Sequence, residues 1–190
     1  MEKARLGAFP FIYPVPTILL GANVNGKPNY NVVGNCGIMC LDPPVLYVSS
    51  GKSHYTNIGI RENGSYSVNI PSVAMVQATD YCGMVSGSES DKSAIFTSFY
   101  GSLETAPMIQ ECPVNLECRV INTIAIGDME VFLGEVIEGY ASPDCMSDGA
   151  PSIKKIDPII YSVQGEYWSI GEMVAKAFSV GEKYRAGEAR

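Results

Sequence analysis

Short runs of apolar and β-branched residues, separated by glycine and proline, predict that strands dominate this chain. Residues 45–48 read Val-Leu-Tyr-Val between Pro44 and a Ser-Ser-Gly sequence, which is typical of a buried strand. Residues 66–70 alternate apolar and polar positions, as a half-buried strand does. Further strands are predicted at residues 17–20, 30–38, 113–121, 131–137 and 167–170.

Glycines predict how two of these strands are shaped. Gly34 and Gly37 interrupt residues 30–38, which indicates a bent or bulged strand where backbone approaches a ligand. The Gly127-Asp128 step predicts a turn that joins the two strands around it into a hairpin. Closing such a set of strands into an antiparallel barrel would leave no exposed sheet edge.

Two helices are predicted among the strands. One begins with Thr56 or Asn57 as its N-cap and ends at Gly64, where glycine allows a left-handed stop. The second covers residues 72–82. Residues 86–92 are too polar to pack in a core and are predicted to form a functional loop.

The loop between the strand at residues 45–48 and the first helix concentrates hydrogen-bond donors. Its hydroxyl, ammonium and glycine residues are Ser49, Ser50, Ser53, Thr56, Lys52 and Gly51. A strand, a loop of this composition and a helix N-terminus together favour anion binding. A solvated loop with an ordinary helix cap fits the same spacing, so both interpretations stand at this point.

Composition narrows the possible function classes. The chain has 190 residues and is 46% hydrophobic, which suits a single domain over residues 1–190 with a real core. A net charge of -7 without a basic cluster argues against nucleic acid and membrane surfaces as partners. Pro10, Pro14 and Pro16 interrupt the N-terminal apolar stretch, so we expect no signal peptide and a cytoplasmic protein.

The six cysteines include no C-x-x-C pair, and His54 is the only histidine. We therefore expect no metal site, and most of the thiols should pack as small hydrophobic groups. A cysteine-based redox or iron–sulfur protein using Cys36 and Cys40 is an open alternative.

Short motifs also occur in a characteristic order along nearly the full chain. They are Tyr13-Pro14-Val15-Pro16, Gly26-Lys27-Pro28-Asn29, Asp42-Pro43-Pro44, His54-Tyr55-Thr56-Asn57-Ile58, Val68-Asn69-Ile70-Pro71-Ser72, Thr79-Asp80-Tyr81-Cys82-Gly83, Ser86-Gly87, Asp91-Lys92, Leu116-Glu117-Cys118, Gly134-Glu135-Val136 and Phe178-Ser179-Val180-Gly181. In order and spacing they resemble the flavin reductase-like family with an FMN-binding split barrel, and within it flavoredoxin.

The resemblance implies a mainly β fold, a six-stranded antiparallel Greek-key barrel with added helices. It further implies a homodimer with FMN held noncovalently near the subunit interface. Thr56 and the loop before it would hold the flavin phosphate, Lys92 would add charge, and Asn29 with the turn at residues 35–37 would face the ring system. The implied cofactor-binding residues are Asn29, Asn35, Cys36, Gly37, Ser49, Ser50, Lys52, Ser53, Thr56 and Lys92.

The function that this resemblance implies is electron transfer or flavin-dependent reduction, with a flavin-storage or carrier module as the alternative. The chain departs from many relatives at Asn35, where an aromatic residue is common, and at Asp128-Met129-Glu130, where a histidine is common. Carboxylates there would repel a dinucleotide pyrophosphate. We therefore expect a redox protein or a small-molecule donor to supply electrons faster than NADH or NADPH.

Overall fold

A seven-stranded antiparallel sheet forms the centre of the protein. The structure is a computed structural model that describes residues 3–184. In chain order the strands are β1 (Val15–Pro16), β2 (Ile18–Val24), β3 (Lys27–Val33), β4 (Cys36–Cys40), β5 (Val45–Gly51), β6 (Ser65–Ile70), β7 (Ser98–Phe99), β8 (Met108–Ile109), β9 (Val114–Ile126), β10 (Met129–Ala141), β11 (Met146–Ser147), β12 (Ala150–Pro151), β13 (Ile160–Ser162) and β14 (Glu166–Trp168). The α-helices are α1 (Tyr55–Asn63), α2 (Val76–Met84) and α3 (Ile153–Ile156), and 3-10 turns span Val73–Met75, Pro143–Cys145 and Val180–Lys183.

The order of the central strands is that of a Greek key. The sheet runs β3-β2-β6-β9-β10-β5-β4. β3 pairs with β2 at one edge and β4 pairs with β5 at the other, so the chain crosses between the two edges in the short break between β3 and β4. If β3 and β4 are counted as one bent strand, the barrel has six strands. The chain returns from β5 through α1 to β6, which lies beside β2, as in a Greek key. The predicted antiparallel barrel is confirmed, whereas the single strand expected over residues 30–38 is two strands.

The main core lies on the inner face of this curved sheet. It contains Ile18, Leu20, Ala22, Val33, Val48, Tyr66, Val68, Cys118 and Phe132 from the strands, and Ile60 from α1. Leu19 points to the other face, where a second cluster joins it to Tyr30, Cys82, Phe96, Ile109 and Cys112. β2 and β3 therefore separate two apolar layers, and α2 covers the outer one.

The burial of β6 differs from the sequence-based expectation of a half-buried strand. Ser65, Ser67 and Asn69 on its outer face are as buried as Tyr66 and Val68 on its inner face. The covering segment follows β7 in the chain: Ser67 Oγ donates to the Pro107 carbonyl, and Ser65 Oγ lies 2.6 Å from Thr105 Oγ1. Partners forty residues away in the chain thus satisfy the polar groups on the outer face of β6. The alternating sequence alone predicts that this face is exposed to solvent.

The first helix begins two or three residues earlier than predicted. His54, with extended φ and ψ angles, is its N-cap, so Thr56 lies within the first turn. Gly64 ends the helix in the left-handed region at φ 64°, as predicted. α1 and α2 have nine residues each, and within the described part of the chain no helix is long and apolar enough to cross a bilayer.

The predicted hairpin is confirmed and is longer than expected. β9 and β10 have thirteen residues each and meet at Gly127, whose φ of 58° suits a tight turn. The end of β9 is exposed at residues 121–126, whereas residues 129–135 of β10 pair with β5. The strand predicted at residues 167–170 is the short β14, which pairs with β13.

Candidate cofactor cavity

A cavity of about 330 Å³ lies where the start of α1 meets the free edge of β3 and the segment after α2. Asn29 and Asn31 line it from β3, residues 53–56 line it from the start of α1, and residues 83–87, Glu89 and Lys92 close it. Tyr55 and Thr56, the first two residues of α1, line this space, and backbone N–H groups at a helix start have no partner four residues back in the helix. The predicted loop at residues 86–92 therefore does adjoin the predicted anion site.

Thr56 and Asn29 form a buried pair in the cavity wall. The Asn29 side-chain amide donates to Thr56 Oγ1 over 2.7 Å, and both residues are almost fully buried. Because the Thr56 oxygen accepts this bond, its own hydroxyl proton is free for another acceptor. The pair thus presents one donor at a fixed position to a ligand in the cavity.

Lys92 brings a buried ammonium group to the same cavity. Its Nζ donates to the Tyr30 carbonyl over 3.0 Å and to the Cys82 carbonyl over 2.7 Å. Burial lowers the pKa of this amine, since a charge is costly away from water. Two of the three ammonium protons fasten the loop to β3 and α2, and the third remains for a ligand.

Two residues that the sequence analysis did not select also line the cavity. His54 Nδ1 lies 2.9 Å from Ser50 Oγ and 3.0 Å from the Asn31 side-chain amide. Asn31 could have been found from the two-residue period of a strand, because it shares a face with Asn29. His54 could have been found from its position in the sequence, because it lies inside the hydroxyl-rich loop that was predicted to bind an anion.

Other predicted site residues lie outside this cavity. Lys52 is exposed, and its Nζ donates over 2.6 Å to the Gly127 carbonyl at the hairpin turn. Asn35 lies in the break between β3 and β4, where its carbonyl accepts the Ser49 N–H over 2.7 Å, and Cys36 and Gly37 are the first residues of β4. The structure therefore brings together Asn29, Ser53, Thr56 and Lys92, with Ser50 behind His54, and leaves Lys52 at a different position.

The carboxylate of Glu130 is compensated within the protein. Glu130 Oε2 accepts from Arg61 Nη1 over 2.5 Å and from the Asn57 amide over 3.0 Å. Of the two carboxylates at residues 128–130, only Asp128 is exposed and without such a partner among the described residues. The repulsion of a dinucleotide that the sequence suggests is therefore smaller than two free charges would give.

The two cysteines of the alternative hypothesis have different environments. Cys36 packs against the main core, and burial raises the pKa of its thiol to about 11, whereas Cys40 is exposed. Among residues 3–184, no three His, Cys, Asp or Glu side chains are grouped so that they could hold a metal ion. The arrangement does not favour a cluster-binding role for this pair.

We predict that Cys40 is the fast-reacting thiol. Burial raises the pKa of Cys82 to about 11 and that of Cys118 to about 12, so few of their thiolates form near neutral pH. Ellman's reagent at pH 7.5 should therefore show one rapid phase that Cys40→Ser removes and Cys145→Ser leaves intact. A rapid phase that survives Cys40→Ser would contradict these environments.

Comparison with known proteins gives one family model and several solved structures that are similar to this chain. The family model described as "Flavin reductase like domain" matches residues 11–163. The flavoredoxin structure from Methanosarcina acetivorans is 46% identical, with a TM-score of 0.93, over 96% of this chain and 98% of that chain. The flavoredoxin of Desulfovibrio vulgaris (Miyazaki F) is 37% identical, with a TM-score of 0.88, over 95% of this chain and 100% of that chain. An FMN-binding protein from Thermus thermophilus, at 20% identity and a TM-score of 0.79 over 93% of this chain and 98% of that chain, shares the fold.

Proposed function

The chain belongs to the flavin reductase-like domain family, and from this premise we propose that it is a single FMN-binding domain that acts in electron transfer or flavin-dependent reduction. The observation that carries the proposal is the cavity in which the Thr56 hydroxyl, the Lys92 ammonium and the start of α1 converge. FMN supplies the redox chemistry when bound, and the protein sets its orientation and surroundings.

The residues of the cavity fit an anionic, hydrogen-bonding ligand. Thr56 and Ser53 offer hydroxyl donors, Lys92 offers a charged donor, and the helix start offers backbone N–H groups. Glu89 is the one carboxylate in the lining, and it is exposed. These groups would hold the phosphate of FMN.

The Asn29 side chain and the turn at residues 35–37 are proposed to lie beside the ring system. The bond from the Ser49 N–H to the Asn35 carbonyl fixes this turn against β5. A side chain on Gly37 would come within 2.8 Å of the Tyr47 ring, so glycine is needed there for packing. The exposed Asn35 side chain stands where many relatives present an aromatic residue, so this chain offers less apolar cover to the ring.

We predict that Thr56→Val weakens FMN binding by about tenfold to a hundredfold. A lost hydrogen bond to a charged group is worth roughly 1.5–3 kcal/mol. Thr56→Ser keeps the hydroxyl and should bind FMN within about threefold of the wild type, so the pair separates the hydroxyl from side-chain volume. Fluorescence titration of FMN with each folded variant measures the difference, and equal affinities of the two would contradict the assignment.

A homodimer is the second part of the proposal. The chain exposes 11894 Å² of surface, whereas a compact monomer of 20.4 kDa exposes about 8,800 Å². The exposed segments at residues 3–14 and 171–182 account for part of this excess, and a second copy of the chain would cover exposed apolar surface. Large apolar side chains contribute to it at the end of β9 and after β14, namely Ile121, Ile124, Ile126, Met173, Val174 and Phe178.

We expect light scattering to give twice the chain mass at micromolar concentration, and FMN to raise the melting temperature, because a ligand that binds only the native state stabilises it. A monomer in the presence of FMN would contradict the dimer without affecting the cavity assignment.

The electron donor is proposed to be a redox protein or a small molecule. The net charge of -7 suits a basic protein partner. Stopped-flow reduction of the bound flavin by NADPH and by a reduced electron-carrier protein compares the two classes of donor directly. Faster reduction by NADPH would show that the protein is a pyridine-nucleotide-dependent reductase.

A further inference from the structure

A second cavity, of about 420 Å³, lies between α2, the end of β3 and the β13–β14 hairpin. It adjoins the first cavity, because Gly83 and Met84 line both. The residues assigned above to the FMN phosphate do not line it. Its volume is within the range of small-molecule sites, about 300–1,000 Å³.

One carboxylate determines the charge of this second cavity. Asp80 on α2 lines it, and the described lining contains no lysine, arginine or histidine. Tyr167 Oη donates to Asp80 Oδ1 over 2.9 Å, which holds the carboxylate in place. Burial, together with this bond and the charge of Asp80, raises the pKa of Tyr167 to about 12, so the phenol stays a neutral donor.

Two tyrosine rings form the aromatic side of the cavity. The Tyr161 and Tyr167 ring centroids are 5.8 Å apart and the ring planes are tilted by 54°. Aromatic faces beside a carboxylate attract organic cations, both through the ring quadrupole and through the charge. Val32 and Met84 add apolar contacts.

Thr17 also lines the cavity. It is only 3% exposed, and its Oγ1 has no hydrogen-bond partner. This oxygen is not accessible from the cavity, so the Asp80 carboxylate is the charged acceptor that the cavity offers to an N–H donor.

We propose that this cavity binds a small organic ammonium ion, with its N–H groups on Asp80 and its apolar stem against Tyr161 and Tyr167. Anions are disfavoured because Asp80 would repel them and no cationic side chain in the lining compensates. The site is separate from the phosphate-binding residues, so the proposal does not rest on FMN binding.

Calorimetric titration of the full chain, as purified, with benzylammonium chloride and with benzyl alcohol tests the proposal. The two probes have nearly the same shape, and only the first is charged. We expect benzylammonium to bind at least about tenfold more tightly than benzyl alcohol, because a charge-assisted hydrogen bond is worth about that much or more. Equal binding of the two probes, or no binding of the ammonium ion, would overturn the proposal.

A matched set of variants locates the effect. Asp80→Asn keeps an oxygen for the Tyr167 hydroxyl and removes the charge, so it should weaken benzylammonium binding about tenfold to a hundredfold. Glu172→Gln removes an equal charge from an exposed ion pair with Lys154 and should change binding less than about twofold. If Glu172→Gln weakened binding as much as Asp80→Asn, the site would be elsewhere and the proposal wrong.

Discussion

Replacing Lys92 with methionine is expected to weaken FMN binding more than a hundredfold and to lower the free energy of unfolding by roughly 2 kcal/mol. Lys92 lines the cavity, and it also holds the loop that forms one wall of the cavity. Its bonds to the Tyr30 and Cys82 carbonyls attach this loop to β3 and α2. Methionine has a similar length but donates no hydrogen bond, so two buried carbonyls lose their partner. Part of that loss is offset because burying the Lys92 charge is itself costly, as the lowered pKa indicates.

The matched control is Lys52→Met. Lys52 is the other lysine that the sequence suggested for the phosphate, yet it is exposed and its ammonium group donates to the Gly127 carbonyl at the hairpin turn. This variant should keep FMN affinity within about threefold, because an exposed hydrogen bond contributes little. Urea unfolding and FMN titration of both variants measure the two effects. A larger loss of affinity in Lys52→Met than in Lys92→Met would show that the phosphate lies at the hairpin turn instead.

Replacing Gly87 with alanine is expected to weaken FMN binding about tenfold to a hundredfold. An added Cβ would collide with Asn29 Oδ1 and come within 2.6 Å of the Tyr55 ring, so the loop must move away from β3. Asn29 is the partner of Thr56, and a displacement of about 1 Å at a binding group can cost about a hundredfold.

Gly171→Ala is the control for this variant. An added Cβ at Gly171 meets no atom within 4 Å, so FMN affinity and melting temperature should stay close to the wild type. Calorimetric titration of both alanine variants with FMN gives the comparison. Wild-type affinity in Gly87→Ala would mean that the contact between the loop and β3 does not shape the site.

Local sequence signals predicted the parts of the fold that depend on neighbouring residues. The strand β5, the stop of α1 at Gly64 and the turn at Gly127 each follow from side-chain pattern or from the conformations open to glycine. The start of α1 was predicted two or three residues too late. Its N-cap His54 makes no side-chain bond to the helix backbone, so the usual preference for Thr or Asn caps did not apply.

Long-range contacts account for what the sequence could not predict. The sequence predicts that the outer face of β6 is exposed to solvent, but Pro107 and Thr105 cover it. Lys52 and Lys92 were both predicted to bind the cofactor. They differ because Lys92 finds two buried carbonyls distant in the chain, whereas Lys52 finds the hairpin turn. Such partners can be identified only once the chain is folded.

The most direct test of the proposed function is a calorimetric titration of the flavin-free protein with FMN. The cavity at the start of α1, with Thr56 and Lys92 in its wall, predicts one FMN bound per chain with a dissociation constant of about 1 μM or lower. It also predicts that Thr56→Val shifts this constant upward and that Thr56→Ser leaves it nearly unchanged. No saturable binding at about 100 μM FMN, equivalent to less than about 5.5 kcal/mol of binding free energy, would contradict the assignment of this cavity to the cofactor.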